Sequence, residues 1–315
     1  MDFLSKLMLL GIKYGIIIGK MSVKIYSPLR YPGGKAKLLP FMKNTIKLNF
    51  GKCDDVIYIE PYAGGAAIAL GLLFDGFVTD VYINDADPAI YCFWDDVLRH
   101  SKKFINKIYD TEITVAEWEK QSKIYHENKH GNAKQKFELG FATFFLNRCN
   151  HSGVLKGGVI GGKKQNGKYT IDCRFNKNEL VKKITQISAM SKHIHLSCED
   201  AAKWLQSDTV AQLLSKKSLF YLDPPYYIKG KQLYKNAYTH IDHKHISQIV
   251  RKIKGFWIVS YDDVPEIRDL YKWVHVNNIL DLNLLYSLSH TNKSGNEVMF
   301  ISNKLRKIPN SIFDD

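Results

Sequence analysis

The residue types best placed to do chemistry in this chain are Asp223-Pro224-Pro225-Tyr226. The run before them, Ser218-Leu219-Phe220-Tyr221-Leu222, is apolar and β-prone and predicts a strand buried in a parallel sheet. Two prolines end it, because neither donates a backbone hydrogen bond and both hold φ at about −65°. The result is a stiff corner carrying one carboxylate and the rings of Tyr226 and Tyr227. The Asp223 carboxylate and the Pro224 carbonyl are acceptors. Set against a planar exocyclic amine, they favour a pyramidal nitrogen with its lone pair available for attack, an effect that grows as charge develops. Tyr226 is suited to stack on the heterocycle. Taken alone, the tetrapeptide is also a serviceable turn; its weight comes from the rest of the chain.

Such a corner acts only if a sheet holds it at a carboxyl edge. Val56-Ile57-Tyr58-Ile59-Glu60 runs into Pro61-Tyr62-Ala63-Gly64-Gly65-Ala66-Ala67 and an apolar stretch to Leu73. That pattern reads as strand, small-residue loop and helix, the opening unit of a doubly wound nucleotide-binding sheet. The loop is not G-x-G-x-x-G, so a dinucleotide fingerprint is not met, and small residues also suit close helix–strand packing. A second strand over 78–83 ends in Asn84-Asp85-Ala86-Asp87-Pro88. There Asp85 is placed for a ribose diol and Asp87 to cap a helix over 89–100. A third strand over 193–196 leads to Asp200, placed either to accept from a ligand amine or to cap a helix over 201–205. Upstream, Gly33-Gly34 turns the backbone tightly and sets Lys35 at the start of a helix over 36–48, suited to a carboxylate. The phosphate-loop spacing fails there, because Leu29 and Ala36 stand where it needs Gly and Ser or Thr. Beyond the corner, residues 228–240 predict a tyrosine-rich loop over the site. A helix over 243–254 capped by Asp242, a strand over 256–260, and closing strands over 274–279 and 297–301 follow, with a hairpin turn around Ser294-Gly295. His240, His243 and His245 suggest zinc, but no carboxylate or thiolate completes a ligand set.

The chain has 315 residues, 45% of them hydrophobic, enough for one or two domains with a substantial core. Its net charge of +14, from 45 Lys+Arg against 31 Asp+Glu, points to a polyanionic partner, nucleic acid first. That charge is concentrated. Between Arg148 and Lys192 lie ten Lys/Arg against two acids, interleaved with glycines. Asn147, Arg148, His151, Ser152, Lys156, Lys163, Lys164 and Arg174 are the candidates there for phosphate contact and base-edge reading. Cysteines 53, 92, 149, 173 and 198 contain no C-x-x-C pair and read as reduced cytoplasmic thiols. The first twenty residues are rich in Leu and Ile but broken by Lys6 and Lys13, too short and too charged for a membrane span and without a small-residue cleavage site. Met21 is a second candidate start.

Three signatures in this order, Tyr31-Pro-Gly-Gly-Lys35, Glu60-Pro-Tyr-Ala-Gly-Gly65 and Asp223-Pro-Pro-Tyr226, resemble the DNA adenine methylase family, the Dam-type N6-adenine methyltransferases. The resemblance extends to Asn84-Asp85, to Phe145-Leu146-Asn147-Arg148 and to Asp200, and so covers nearly everything from Arg30 to Ile301. It implies an α/β fold: a Rossmann-like, S-adenosylmethionine-dependent methyltransferase core interrupted by a mostly helical target-recognition insertion. On this reading residues 22–95 and 195–305 are catalytic and 96–194 form the insertion, between an N-terminal extension over 1–21 and a tail over 306–315.

Carried over by position, the resemblance implies that Tyr31 and Lys35 contact the donor and that Glu60 and Gly64 pass beside it. Asp85 would take its ribose hydroxyls and Asp200 its adenine amine. Asp223 would lie between donor and target, with Pro224, Pro225 and Tyr226 completing the catalytic pocket. The implied reaction is direct methyl transfer to an adenine amine flipped out of double-stranded DNA, without metal or covalent enzyme intermediate. The implied setting is cytoplasmic and nucleoid-associated, as a monomer or weak dimer, with room for a cognate restriction endonuclease as partner and no membrane. The insertion departs from its relatives: His151 stands where they often place an aromatic, and the stretch from Lys156 to Lys164 differs from GATC-specific members. Rival acceptors are RNA adenine, cytosine N4 and a protein amide, because any planar amine suits the corner. A rival of another class is a retired scaffold serving as a DNA-binding regulator, against which every expected polar position is occupied.

Overall fold

The computed structural model describes residues 15–17, 24–30, 35–51, 55–130, 135–228, 238–286 and 293–309, with the side chains of 15–17, 283–286 and 293–296 left aside. Tyr31, the Gly33-Gly34 turn, Cys53 and residues 229–237 of the expected 228–240 loop lie outside the described residues.

Apolar runs with β-branched and aromatic residues form the strands β1 (Gly15–Ile17), β2 (Ile57–Glu60), β3 (Asp80–Asn84), β4 (Ile194–Ser197), β5 (Ser218–Leu222), β6 (Phe256–Asp262), β7 (Ile279–Tyr286) and β8 (Lys293–Ile301). Among the described residues they make one sheet in the order β1-β7-β8-β6-β5-β2-β3-β4. All strands run parallel except β8, which inserts antiparallel between β6 and β7. From β2 the chain steps outward to β3 and β4, then returns to lay β5 on the other side of β2 and moves away through β6. The strand order therefore reverses between β2 and β5, and a crevice opens at their carboxyl ends.

The helices are α1 (Leu39–Phe50), α2 (Ala67–Phe74), α3 (Pro88–Arg99), α4 (Ser101–Asp110), α5 (Val115–Asn128), α6 (Lys136–Cys149), α7 (Lys177–Ala189), α8 (Ala201–Trp204), α9 (Asp208–Leu214), α10 (His240–Lys252) and α11 (Pro265–Leu270). The two-residue period of the strands divides their side chains between two cores. Tyr58, Leu219 and Tyr221 join the core under α1–α4, α6 and α7, whereas Ile57, Ile59, Phe220 and Leu222 join the core under α8–α11. Both faces are covered, which is why β2 and β5 are buried throughout. The chain is thus an α/β doubly wound protein of Rossmann-like form.

Between β3 and β4 lie α3–α7. The buried face of α6 carries Phe141, Phe144 and Phe145, which meet Phe93 of α3, Phe104 of α4 and Phe175 in edge-on, stacked or tilted pairs. The expected boundary at residue 96 falls inside α3, whose Phe93 and Trp94 belong to the same core as the phenylalanines of α6. Three local expectations need correction. The first closing strand begins at Ile279, after a single 3₁₀ turn at Val276–Asn278. Ser294-Gly295 pairs with Leu285 and Leu284 inside β8, so it is not the hairpin turn. α10 starts at His240, because Thr239 accepts from the Asp242 N–H while the Asp242 carboxylate accepts from Thr239, a reciprocal capping box. No helix among the described residues is long and apolar enough to cross a membrane.

Candidate active site

The loops that follow β2, β3, β4 and β5 meet at the reversal point. Asn84, fully buried at the end of β3, ties three of them: its amide donates to the Pro61 and Glu199 carbonyls and accepts from the Glu199 N–H. The glycine loop is drawn tight by Asp85, whose carboxylate accepts from Gly64 N–H at 2.8 Å and from Asp87 N–H at 2.9 Å. Gly64 has φ 46°, the left-handed region where a Cβ is costly, and its carbonyl is held by the Trp94 indole N–H. Asp87, not Asp85, caps α3 through Ala89 N–H. Asp200 caps α8 through Lys203 N–H at 3.1 Å. Asp85 and Asp200 also line the cavity that opens here, of about 490 Å³, together with Lys35, Glu60, Tyr62 and Asp223.

Burial raises Glu60 to about 8 despite a hydrogen bond from the Tyr58 hydroxyl, and raises Asp85 to about 6. Glu60 has no cationic side chain paired with it among the described residues. Its folded value exceeds the ordinary glutamate value of about 4.3, so the folded state binds the extra proton between about pH 4.3 and 8, and stability falls as pH rises through that window. Glu60→Gln is therefore expected to match the wild type near pH 4 and to be more stable at pH 9, on the order of 5 kcal/mol, measured by urea unfolding at both pH values. Equal midpoints at pH 9 would count against a buried, uncompensated carboxylate.

On the β5 side, Asp223 stands partly exposed, its side chain 21% accessible. Its Oδ1 accepts from Ser260 Oγ at 2.8 Å; since Ser260 has one hydroxyl proton, the Tyr221 hydroxyl, 2.8 Å away, donates to Ser260 in turn. Its Oδ2 lies 3.2 Å from Lys35 Nζ. Lys35 also donates to the Tyr226 hydroxyl, which donates to Glu297. Burial pushes the Lys35 ammonium down, but Asp223, Tyr226 and Glu297 overcome it and hold Lys35 well above the ordinary lysine value. The corner's backbone is pinned separately: Asp262 of β6 accepts from Tyr227 N–H at 2.8 Å and Ile228 N–H at 2.9 Å.

The structure therefore brings Lys35, Glu60, Gly64, Asp85, Asp200, Asp223 and Pro225 onto one cavity. Pro224 is buried behind it, and Tyr226 is only 6% exposed, with the Lys35 ammonium at the hydroxyl end of its ring, 4.8 Å from the centroid. Lys35 faces the acidic corner, where the sequence suggested a ligand carboxylate. Ser260, Asp262 and Glu297 escaped the sequence reading. They sit on strands without a motif, and only the pairing of β5, β6 and β8 places them here.

The basic segment meets the same cavity. Arg148, from the last turn of α6, donates to the Arg174 carbonyl and the Pro28 carbonyl. Arg30 donates to the carbonyls of Arg148 and Asn150, and Lys183 of α7 to that of Ser27. Among the described residues none of the three is paired with a carboxylate. Burial first, then neighbouring cations, pulls Arg148 down to about 10 and lowers Arg30 and Lys183. His151, Lys156, Lys163, Lys164 and Arg174 are exposed on the turns after α6, with Ser152 half-buried among them and Lys163 paired to Glu119 at 2.8 Å. Asn147 is a correction to the expected DNA contacts. It is 1% exposed, and its amide is spent on Arg30 N–H, Arg30 carbonyl and Gly153 carbonyl, which makes it an internal clamp. Arg30 and Lys183 carry no motif, and only the seam between residues 24–30 and α6–α7 shows them.

Residues 31–288 match the family model described as D12 class N6 adenine-specific DNA methyltransferase. Among curated proteins, the chain is similar to the Type II methyltransferase M.MjaIII of Methanocaldococcus jannaschii, 22% identical over 239 residues that span 73% of this chain and 78% of that protein. Among solved structures, it is similar to the rRNA methyltransferase aviRa of Streptomyces viridochromogenes, with 10% identity, 94% of this chain and 99% of that chain covered, and a TM-score of 0.38. It is likewise similar to a class I S-adenosylmethionine-dependent methyltransferase of Listeria monocytogenes, with 12% identity, coverage of 94% and 70%, and a TM-score of 0.39. Scores of that size leave the architecture to rest on the strand order itself.

Proposed function

The chain belongs to the D12 class of N6 adenine-specific DNA methyltransferases, and from that premise we propose that it takes its methyl group from S-adenosylmethionine and delivers it to an adenine flipped out of double-stranded DNA. The donor's chemistry suits the residues present. A buried carboxylate without a cationic partner, Glu60, matches its ammonium, and Asp85 and Asp200 offer acceptors for its ribose hydroxyls and adenine amine. Gly64 and the rest of the glycine loop form the floor, and Lys35 stands on the same cavity; Tyr31 is proposed as a further contact to the donor. When bound, S-adenosylmethionine supplies a methyl group on a positively charged sulfur. The rest of the chemistry is the chain's own. Asp223 and the Pro224 carbonyl accept the two amine hydrogens and turn the nitrogen lone pair outward, Pro225 fixes the corner, and the Tyr226 ring stacks on the base. Extrusion costs a few kcal/mol, which binding in the cavity offsets.

Residues 96–194 act in this reading as the target-recognition insertion. Arg148 and Arg174 contact phosphate near the extruded nucleotide, and His151, Ser152, Lys156, Lys163 and Lys164 meet the duplex. Lys163 leaves its exposed pair with Glu119 at little cost. The same reading has the enzyme work in the cytoplasm on nucleoid DNA as a monomer or weak dimer, either as an orphan methylase or with a cognate restriction endonuclease.

The observation that carries the proposal is the carboxylate of Asp223 standing at the strand reversal, on the cavity that also holds Asp85 and Asp200. The test is transfer of labelled methyl to duplex DNA, single strands, RNA and protein, followed by digestion to nucleosides. Label in N6-methyladenine from duplex DNA is the expected result; label confined to cytosine, RNA or protein would refute it.

A further inference from the structure

Behind the Asp-Pro-Pro-Tyr corner lies a charge cluster that no motif announces. Lys35 Nζ is 3.2 Å from Asp223 Oδ2 and 3.5 Å from Glu297 Oε1, with side-chain accessibilities of 5%, 21% and 2%. Coulomb attraction falls as 1/r, so the ammonium is shared between the two carboxylates to within about a tenth. The Tyr226 hydroxyl links the same two groups, accepting from Lys35 and donating to Glu297. Glu297 reaches this point because β8 runs antiparallel beside β6, with Glu297 opposite Asp262. Its second oxygen, Oε2, is buried and has no hydrogen-bond partner among the described residues.

Stability does not explain this arrangement. One buried cation already satisfies Asp223, and adding a second buried carboxylate incurs a further desolvation cost that shared attraction repays poorly. The cluster is instead suited to grading the acceptor. If Lys35 had Asp223 as its sole counter-charge, its full attraction would draw electron density away from the carboxylate meant for the amine. The geometry points to Glu297 as a positioning residue for methyl transfer: it holds Lys35 and the Tyr226 hydroxyl from behind, which keeps the Asp223 carboxylate a strong acceptor and fixes the Tyr226 ring for the target base. The inference rests on the reading of Asp223 as the residue that receives the amine.

The test is Glu297→Gln in the full-length protein, with Tyr226→Phe and the double variant beside it. Single-turnover transfer to duplex DNA is expected to fall tenfold or more in Glu297→Gln, while the donor dissociation constant, by calorimetry, stays within threefold. Tyr226→Phe keeps the ring and removes only the link, so it should lose transfer in the same way. The double variant should fall less than twofold below the worse single variant, because both changes cut one path. Unchanged transfer in Glu297→Gln, a loss matched by equal loss of donor binding, or losses that multiply in the double variant would overturn the inference. If Glu297→Gln does not fold, Tyr226→Phe decides: reduced transfer with donor binding kept supports the role, and unchanged transfer removes it. Wild-type label appearing in another acceptor would refute the DNA reading alone, and the same comparison is then made on that acceptor.

Discussion

Asp223→Ala is expected to reduce methyl transfer by about 10³-fold or more while the protein still folds, binds its donor and binds duplex DNA within a few-fold of wild type. The size follows from what Asp223 does alone. It is the carboxylate of the corner that faces the cavity, and loss of one preorganised electrostatic group at a reacting centre typically costs about 10²–10³ in rate. Loss of amine orientation adds to that. Folding survives because Lys35 keeps Glu297 at 3.5 Å, so the substitution strands no buried cation. Ser260 loses an acceptor but retains its contact with the Tyr221 hydroxyl. Asp223→Asn, which keeps the shape but loses the charge, should recover only a small part of the rate. The measurement is single-turnover transfer set beside calorimetric donor binding. A rate within tenfold of wild type in the alanine variant would remove Asp223 from the chemistry.

Gly153→Ala is expected to destabilise the protein by about 2–4 kcal/mol and to take transfer down with it. Gly153 has φ +75°, and a Cβ there would stand 2.1 Å from the Arg30 carbonyl oxygen, which is backbone and cannot swing aside. That carbonyl is one end of the Asn147 clamp, whose amide also accepts from Arg30 N–H at 2.7 Å and donates to the Gly153 carbonyl at 2.9 Å. Forcing Arg30 away opens the seam joining residues 24–30 to the end of α6, and with it the positions of Arg30 and Arg148 on the cavity wall. Gly158→Ala is the control: nothing lies within 4 Å of its added Cβ, and it should change stability by less than about 0.5 kcal/mol. Urea midpoints of the two variants decide the matter, and equal values would show that the seam yields without strain.

Much of this enzyme was legible before folding. Strand β5 with its proline corner, β2 with its small-residue loop, and the carboxylates after β3 and β4 are each written in a handful of adjacent residues, because strand, turn and cap propensities act over that range. The capping competition at Asp85, Asp87 and Asp200 was legible only as alternatives, since one carboxylate can serve a helix end and a ligand alike. Asn147 shows the opposite failure. Its type and its basic neighbours suit DNA, yet burial turned it into an internal clamp.

By itself, then, the order of residues determined the chemical parts: an acceptor corner stiffened by prolines, a small-residue loop, carboxylates at the ends of strands and a basic segment. Tertiary structure decided how those parts are charged and which of them act together. Glu297 lies 71 positions from the Tyr226 it holds, and Ser260 lies 37 from Asp223, brought near by strands that pair across the sheet. The physical reason is that the energy of a charge depends on its distance to other charges and on its access to water. Neither quantity is contained in sequence order until the sheet closes around the site.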